Sequence, residues 1–332
     1  MTATARSPAS RQWREQIDPR WRMAAVLLRS MESSGLARSG MLATAVDAGI
    51  QVESAVRGLA GRAAGPADSD VARPHVHVDG AGPAIVLLNG WSASGLVWPS
   101  AMVEALAADH TVLRIDNRGT GWSHRMPRPF TIRDLADDVV RMLDDRGIGQ
   151  ATVVGLSMGG MIGQELALRH PDRVGHLVVL GTRPPNPAYV PPSADVTARL
   201  MSPPPPGQAL REFMLERWAG VTGPGFVAAH PEAISEMVRA IVTRPTVRAV
   251  VLDQARAIAA WHGAARLHHL DVPTTVVHGE ADPLLPVINA MRLVQLIPGA
   301  RYRELPRVGH LVPYEAPAAT IEVVRAATGA RG

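Results

Sequence analysis

The stretch Val153–Gly163, VVGLSMGGMIG, decides the fold class and raises the question of what its serine does. Ser157 stands in G-L-S-M-G, a match to G-x-S-x-G, between a run typical of a buried strand and a run with helical spacing. This pattern predicts a strand-to-helix turn that exposes a nucleophilic serine. Gly155 and Gly159 supply the small neighbours that so sharp a turn needs, and the hydroxyl then lies beside the positive end of the helix starting at Met158. The alternative is a tight turn with an inert serine, and the glycines alone do not decide between the two.

Seven β-rich runs alternate with helical patterns from about residue 73 onward. The predicted strands are residues 75–78, 84–89, 111–116, 151–155, 176–181, 274–279 and 301–305. Apolar residues in the segments between them recur at helical spacing. Such alternation needs crossover connections, so it predicts an α/β fold: a mostly parallel sheet with helices on both faces.

Two regions stand outside this alternation. Residues 183–270 are too rich in proline for central strands and then become helical, which predicts a helical insertion over the edge of the sheet. Residues 1–70 have roughly helical apolar spacing and form a basic N-terminal extension that ends in a linker. The core is therefore expected to comprise residues 71–182 and 271–332.

The composition limits the class of protein. Among 332 residues, 46% are hydrophobic and 19% are charged, and no apolar run is long enough to span a membrane. The N-terminus lacks the apolar block of a secretory signal, and the absence of cysteine excludes disulfides, thiolate metal sites and a cysteine nucleophile. These features predict a cytoplasmic protein.

The distribution of charge argues against a nucleic-acid binder. All 34 basic residues are arginine, and the formal excess of +4 lies entirely within residues 1–62. A nucleic-acid site would combine a basic cluster with stacking aromatic side chains, and only 4% of the residues are aromatic. We therefore expect no nucleic-acid partner.

A serine hydroxyl is a weak nucleophile until a base takes its proton, and an acid must orient that base. His310 comes just after the last predicted strand, in RVGHLVPYEAP, on a loop able to reach Ser157. Asp282 follows the strand 274–279, at the edge of a parallel sheet where ligands bind, and Glu280 is the alternative acid. The order Ser157, Asp282, His310 is the serine-acid-histidine order of one fold family.

Other histidines are weaker candidates for the base. His278 ends a predicted strand and His170 ends a predicted helix, which favours structural roles for both. His268 and His269 lie in the loop that leaves the insertion.

Attack by the serine creates an oxyanion that two backbone N–H groups must bind. One donor follows from position, since Met158 comes directly after the nucleophile. The second is expected from the loop after the strand 84–89, where Trp91 supplies the N–H and Gly90 allows close approach of the backbone. The Trp91 side chain could also form a wall of the pocket.

At this point the sequence resembles the α/β-hydrolase superfamily. The features that carry the resemblance are LLNGWSASG, DNRGTGWS, VVGLSMGGMIGQELALRHPDRVGHLVVLGT, TTVVHGEADPLLP and RVGHLVPYEAP, which span about residues 75 to 328. The resemblance implies a lid formed by the insertion, a site without metal, and no organic cofactor. Asn89 departs from the His-Gly pair of many members. Within the superfamily the chain is similar to intracellular polyhydroxyalkanoate depolymerases and to small-molecule esterases.

The serine narrows the chemistry within this superfamily. Dehalogenases and epoxide hydrolases of the fold form an ester on aspartate, whereas residue 157 is serine. The hypothesis is a serine hydrolase of a carboxylic ester, lactone or polyester that works through an acyl-enzyme. Carbon–carbon bond hydrolysis, acyl transfer and cofactor-free perhydrolysis use the same triad and stay open. The hypothesis from another class is a receptor-like ligand-binding module with slow turnover.

Two further sets of residues have alternative interpretations. Met214, Trp218 and Trp261 of the insertion could line an apolar acyl pocket, although their helical spacing favours core packing. The basic residues 1–62 could attach to a membrane surface or a hydrophobic granule as an amphipathic helix. The alternative for this segment is a helical pair that packs on the core or forms a homodimer contact.

Overall fold

A seven-stranded sheet forms the centre of the computed structural model, which describes residues 73–329. The helical extension expected for residues 1–70, with its membrane, granule or dimer contact, lies outside the described residues. The strands are β1 Val76–Asp79, β2 Ala84–Leu88, β3 Thr111–Ile115, β4 Ala151–Leu156, β5 Val174–Leu180, β6 Thr274–Gly279 and β7 Arg301–Leu305. Each of the seven predicted strands is present, with ends that differ by no more than two residues.

The strand order is β1-β3-β2-β4-β5-β6-β7. Only β1 runs antiparallel to its neighbour, with Val76 opposite Ile115 of β3, and the other pairs are parallel. The carboxyl ends of β2 to β7 therefore meet at one edge of the sheet, where ligands bind in open α/β sheets. The prediction of a mostly parallel sheet is confirmed.

Helices cover both faces of this sheet, as expected. These helices are α1 Ser100–Ala107, α2 Ile132–Asp144, α3 Met158–Arg169, α9 Ile288–Leu296 and α11 Pro317–Gly329, with the short α10 Val312–Glu315 before the last. Alternate residues of β2 face opposite ways: Val86 and Leu88 pack with α2, α3 and α9, while Ile85 and Leu87 pack with α1 and α11. Within residues 73–329, no helix is long and apolar enough to cross a membrane.

The segment between β5 and β6 is helical, as its sequence indicates. It contains α4 Ala194–Met201, α5 Leu210–Ala219, α6 Phe226–Ala229, α7 Pro231–Thr243 and α8 Arg248–Ala259. Its two ends are joined at the base, where the Asn186 amide donates to the Ala259 carbonyl oxygen (3.0 Å) and Asn186 N donates to the Trp261 carbonyl oxygen (3.1 Å). We call residues 183–270 the helical insertion. Its action as a lid stays a prediction.

The sheet also contains a buried histidine that bonds across two strands. His176 on β5 lies 2.9 Å from the Thr275 hydroxyl on β6, and the side chain is only 5% exposed. Burial, with the nearby Arg301 charge, lowers the pKa of His176 below its usual value. The folded chain therefore keeps this imidazole neutral at a pH where the unfolded chain protonates it.

Stability should consequently fall as the pH drops from 7.5 to 5.5, through the unfolded histidine pKa of about 6.5. The His176→Gln variant keeps a polar partner for Thr275 but cannot titrate, so its melting temperature should fall less over this range. Thermal unfolding at each pH measures the effect, with the exposed His124→Gln as the matched control. An equal acid loss in wild type and His176→Gln would contradict this assignment.

Candidate active site

Ser157 occupies the turn between β4 and α3 in a backbone conformation that few non-glycine residues adopt. Its φ is 55° and its ψ is −116°, at a cost of about 1–3 kcal/mol. Two hydrogen bonds to the end of β5 hold this conformation: Ser157 N donates to the Leu180 carbonyl oxygen (2.9 Å), and the Thr182 hydroxyl donates to the Ser157 carbonyl oxygen (2.6 Å). The side chain is partly exposed at the start of the helix.

The glycines of the motif are required by close backbone contacts. A Cβ on Gly155 would lie 2.3 Å from the Gly159 carbonyl oxygen, and a Cβ on Gly159 would lie 2.0 Å from the Leu88 carbonyl oxygen. Both distances are far inside van der Waals contact, so neither position accepts a side chain. Gly90, in the loop after β2, also lies close to the serine, because a Cβ on Gly90 would be 3.4 Å from the Ser157 Cβ.

His310 and Asp282 form a buried pair at the same edge of the sheet. His310 Nδ1 lies 2.8 Å from Asp282 Oδ2, and the two residues are 2% and 5% exposed. The other carboxylate oxygen accepts the N–H groups of Leu284 (2.8 Å) and Leu285 (2.9 Å), which fixes the plane of the carboxylate. Because the carboxylate accepts, Nδ1 carries the proton and Nε2 is left as the basic nitrogen.

The end of β5 connects this pair to Ser157. Gly181 directly follows Leu180, the partner of Ser157 N. A Cβ on Gly181 would lie 3.6 Å from both Asp282 Oδ2 and His310 Nδ1. The serine turn and the histidine–aspartate pair therefore both lie next to the end of β5.

The alternative acid and bases lie elsewhere. Glu280 is exposed and accepts the Arg307 N–H at 3.1 Å. His170 directly follows α3, and its Nε2 lies 3.2 Å from a carboxylate oxygen of Asp137 on α2. His268 and His269 are exposed.

His278 lies next to Asp282 of the His310–Asp282 pair. Its Nε2 donates to the Leu285 carbonyl oxygen (2.7 Å) and is 3.5 Å from Asp282 Oδ2. Burial lowers the pKa of His278 more than the neighbouring Asp282 raises it, which favours the neutral imidazole. His278 thus packs against the carboxylate without competing for it as a charged partner.

The loop after β2 brings the second expected N–H donor to this edge. Met158 is the first residue of α3, so its N–H has no partner within the helix. The backbone N–H of Trp91 donates to no acceptor among residues 73–329. Asn89 anchors the loop, because its amide donates to the Ile115 carbonyl oxygen (2.6 Å) and accepts from Trp98 Nε1 (2.6 Å).

Glu315 holds the loop that carries His310, a role that the sequence did not indicate. Its carboxylate accepts the N–H groups of Gly309 (2.8 Å) and Leu311 (3.0 Å), on either side of the histidine, and that of Gly223 in the helical insertion (2.6 Å). His310 N donates to the Val221 carbonyl oxygen of the insertion at 2.8 Å. Burial raises the pKa of Glu315 despite these three donors.

The proposed pocket side chains lie in two separate clusters. Met214 and Trp218 pack against the apolar side of α7, in the cluster that includes Leu311 beside His310. Trp261 instead belongs to the core around α3, where its Nε1 donates to Glu165 at 3.1 Å. Helical spacing could not separate the two environments, because both bury an apolar side chain.

One open cleft of the described residues has a volume of 540 Å³. It runs between the loop 119–128 and the insertion segment 243–250, and its lining includes His124, Arg128 and Arg244. None of the predicted site residues lines it.

A group able to hold a metal occurs at the β1 edge. One ligand atom each from His75, His77 and Asp116 lies within 4.8 Å of the others. The Asp116 oxygens already accept the N–H groups of Gly95 (2.7 Å) and Trp122 (2.9 Å), so this carboxylate has a structural role. We therefore assign no metal to the group.

Comparison with known proteins identifies the family. The family model described as alpha/beta hydrolase fold matches residues 83–317. The chain belongs to the α/β hydrolase family. Its serine turn, its parallel sheet and the histidine loop after β7 all lie within the matched segment, apart from the antiparallel edge strand β1.

Relatives of this α/β hydrolase have names that indicate several activities. The putative carbamate hydrolase RutD of Azorhizobium caulinodans is 30% identical over 70% of this chain and 85% of its own length. The rhodomycin D methylesterase DnrP of Streptomyces peucetius is 31% identical over 71% of this chain and 87% of its own. The solved enol-lactonase of Burkholderia xenovorans superposes with a TM-score of 0.65 and 27% identity, covering 77% of this chain and 96% of that one.

The close contact between Gly159 and the Leu88 carbonyl oxygen can be tested by a change in stability. The Gly159→Ala variant should lose about 2 kcal/mol or more, because the new Cβ collides with the Leu88 carbonyl oxygen. Alanine in place of glycine would otherwise stabilise a helix by about 1 kcal/mol, so the sign of the effect is diagnostic.

Urea unfolding measures this difference. The control is Gly149→Ala, where a Cβ would meet no atom within 4 Å. A Gly159→Ala variant as stable as wild type would show that the backbone of α3 and β2 is not packed as described.

Proposed function

We propose that this chain is a serine hydrolase of carboxylic esters or lactones, acting through an acyl-enzyme. The proposal rests on the buried His310–Asp282 pair beside Gly181, whose neighbours Leu180 and Thr182 hold Ser157 in its strained turn. General-base activation of a serine requires an imidazole in a fixed orientation near a hydroxyl whose position is also fixed.

In the proposed reaction, Ser157 Oγ attacks the acyl carbon while His310 Nε2 takes the hydroxyl proton. Asp282 keeps Nδ1 protonated and stabilises the imidazolium. The N–H groups of Trp91 and Met158 bind the oxyanion, aided by the positive end of α3.

Collapse of the tetrahedral intermediate then breaks the ester C–O bond, and His310 returns the proton to the leaving alcohol. Water repeats the sequence on the acyl-enzyme: His310 takes its proton, the hydroxyl oxygen joins the acyl carbon, and the acid leaves as Ser157 regains its proton. The net change is an ester and water giving an acid and an alcohol.

The activities named for the relatives support this class of reaction. A methylesterase, a carbamate hydrolase and an enol-lactonase all break a bond between a carbonyl carbon and oxygen or nitrogen. Esters and lactones are favoured here, while carbon–carbon hydrolysis, acyl transfer and perhydrolysis remain outcomes of a substrate screen.

The Ser157→Ala variant tests the proposal. It should lower kcat for a short p-nitrophenyl ester by a factor on the order of 10⁴ or more, because it removes the hydroxyl on which the proposed acyl-enzyme forms. Its melting temperature should stay close to that of wild type, and the exposed Ser100→Ala should keep full activity.

Two results would contradict the proposal. One is retained turnover in folded Ser157→Ala. The other is a wild-type protein that binds an ester tightly without turning it over or reacting with a fluorophosphonate, which would indicate a receptor-like module instead.

A further inference from the structure

The helical insertion forms three hydrogen bonds with the loop that follows β2. Ser92 N donates to Gln254 Oε1 on α8 (2.7 Å), and the Thr246 hydroxyl donates to the Ser92 carbonyl oxygen (2.9 Å). Trp91 Nε1 donates to the Val251 carbonyl oxygen at 2.9 Å. Both backbone polar groups of Ser92, the residue after the proposed donor Trp91, are thus held by the insertion.

Ser92 needs such support because of its backbone conformation. Its φ is 61°, in the left-handed region that few serines adopt. Within the loop itself the only backbone contact across this turn is long, from Ala93 N to the Gly90 carbonyl oxygen at 3.4 Å. The side chains of the insertion therefore do most to fix the peptide that follows Trp91.

The orientation of Gln254 is determined by this single contact. The residue is fully buried, and its Nε2 has no hydrogen-bond partner among the described residues. A buried unpaired amide donor is costly, and turning the amide over would also place a donor against the Ser92 N–H. The buried Gln254 amide is therefore oriented so that its oxygen accepts the Ser92 N–H.

Helix α8 is itself fixed to the core, so it can act as an anchor. Arg128 Nε donates to Asp253 Oδ2 at 2.7 Å, and Asp253 directly precedes Gln254. On the same helix, Val250 packs so closely on Gly119 that a Cβ there would lie 2.5 Å from Val250 Cγ2. The core loop 116–128 thus holds the helix, and the helix holds the loop after β2.

We propose that Gln254 is a positioning residue that fixes the Trp91–Ser92 loop for oxyanion binding, so that the helical insertion supplies part of the active-site architecture. The proposal rests on the proposed function, because it concerns the N–H that Trp91 offers to the oxyanion. A donor fixed before the reaction stabilises the transition state without reorganisation, whereas a mobile donor does not.

The Gln254→Met variant tests this role, because it keeps the length of the side chain and removes the acceptor. We expect kcat for a p-nitrophenyl ester to fall about tenfold with KM changed less than twofold, since the oxyanion exists only after attack. The Ki of phenylboronic acid, whose adduct with serine is a tetrahedral anion, should rise by the same factor. The Gln254→Glu variant restores an acceptor oxygen and should recover most of both losses.

A second pair of variants guards against a folding defect. Thr246→Val is nearly isosteric and removes only the hydrogen bond to Ser92, so it should shift kcat and the boronate Ki together, to a smaller extent. Its control is Thr243→Val, which removes an equivalent hydroxyl of the insertion that bonds to the Arg239 carbonyl oxygen within α7. The control should leave both quantities unchanged.

The outcomes separate this proposal from the proposed function. If Ser157→Ala is inactive but Gln254→Met and Thr246→Val keep the wild-type kcat and boronate Ki, the positioning role is overturned and the serine hydrolase stands. A fall in kcat without a rise in the boronate Ki also overturns it. If Ser157→Ala retains activity, the proposed function fails first.

Discussion

The backbone of Ser157 is the constraint on which the site depends. A positive φ at the end of a buried strand lets the chain turn from β4 into α3 within one residue and leaves the side chain at the sheet edge. The turn is possible only where two glycines let backbone meet backbone. The hydrogen bonds from Ser157 N to the Leu180 carbonyl oxygen and from the Thr182 hydroxyl to the Ser157 carbonyl oxygen offset the strain. The histidine–aspartate pair packs against Gly181, which lies between these two residues. One local conformation thus sets the position of the serine relative to its expected partners.

The loops around this turn are stabilised from outside the sheet. The loop of His310 bonds to Val221 and to a carboxylate, Glu315, that also holds Gly223. The loop after β2 bonds to α8 and to the segment before it. Contacts of this kind make the helical insertion a structural partner of both loops.

Much of the fold could be predicted from the sequence, because its determinants are local. Buried parallel strands read as continuous apolar runs, and turn residues separate them from helices. The motif around Ser157 is equally local, since its two glycines are needed by backbone atoms only a few residues away or on the adjacent strand. His310 and Asp282 were proposed from their positions at strand ends, and the structure places them 2.8 Å apart.

The supporting residues could not be predicted, because their partners are far away in the chain. Gln254 meets Ser92 across 162 residues, and Glu315 meets Gly223 across 92. In a helical sequence each reads as an ordinary polar residue, and only the tertiary fold shows that it is buried. The environment of Trp261 could not be predicted either. This apolar residue lies in the insertion by sequence, but it packs with α3 and donates to Glu165.

The proposed mechanism requires that Ser157 becomes acylated during turnover. The direct measurement is peptide mapping by mass spectrometry after rapid acid quenching of the protein with p-nitrophenyl acetate. We expect an acetyl group on the peptide that contains Ser157, formed within the first turnover and lost as hydrolysis proceeds. An acetyl group on another residue, or steady hydrolysis with no acylated peptide at any quench time, would contradict it.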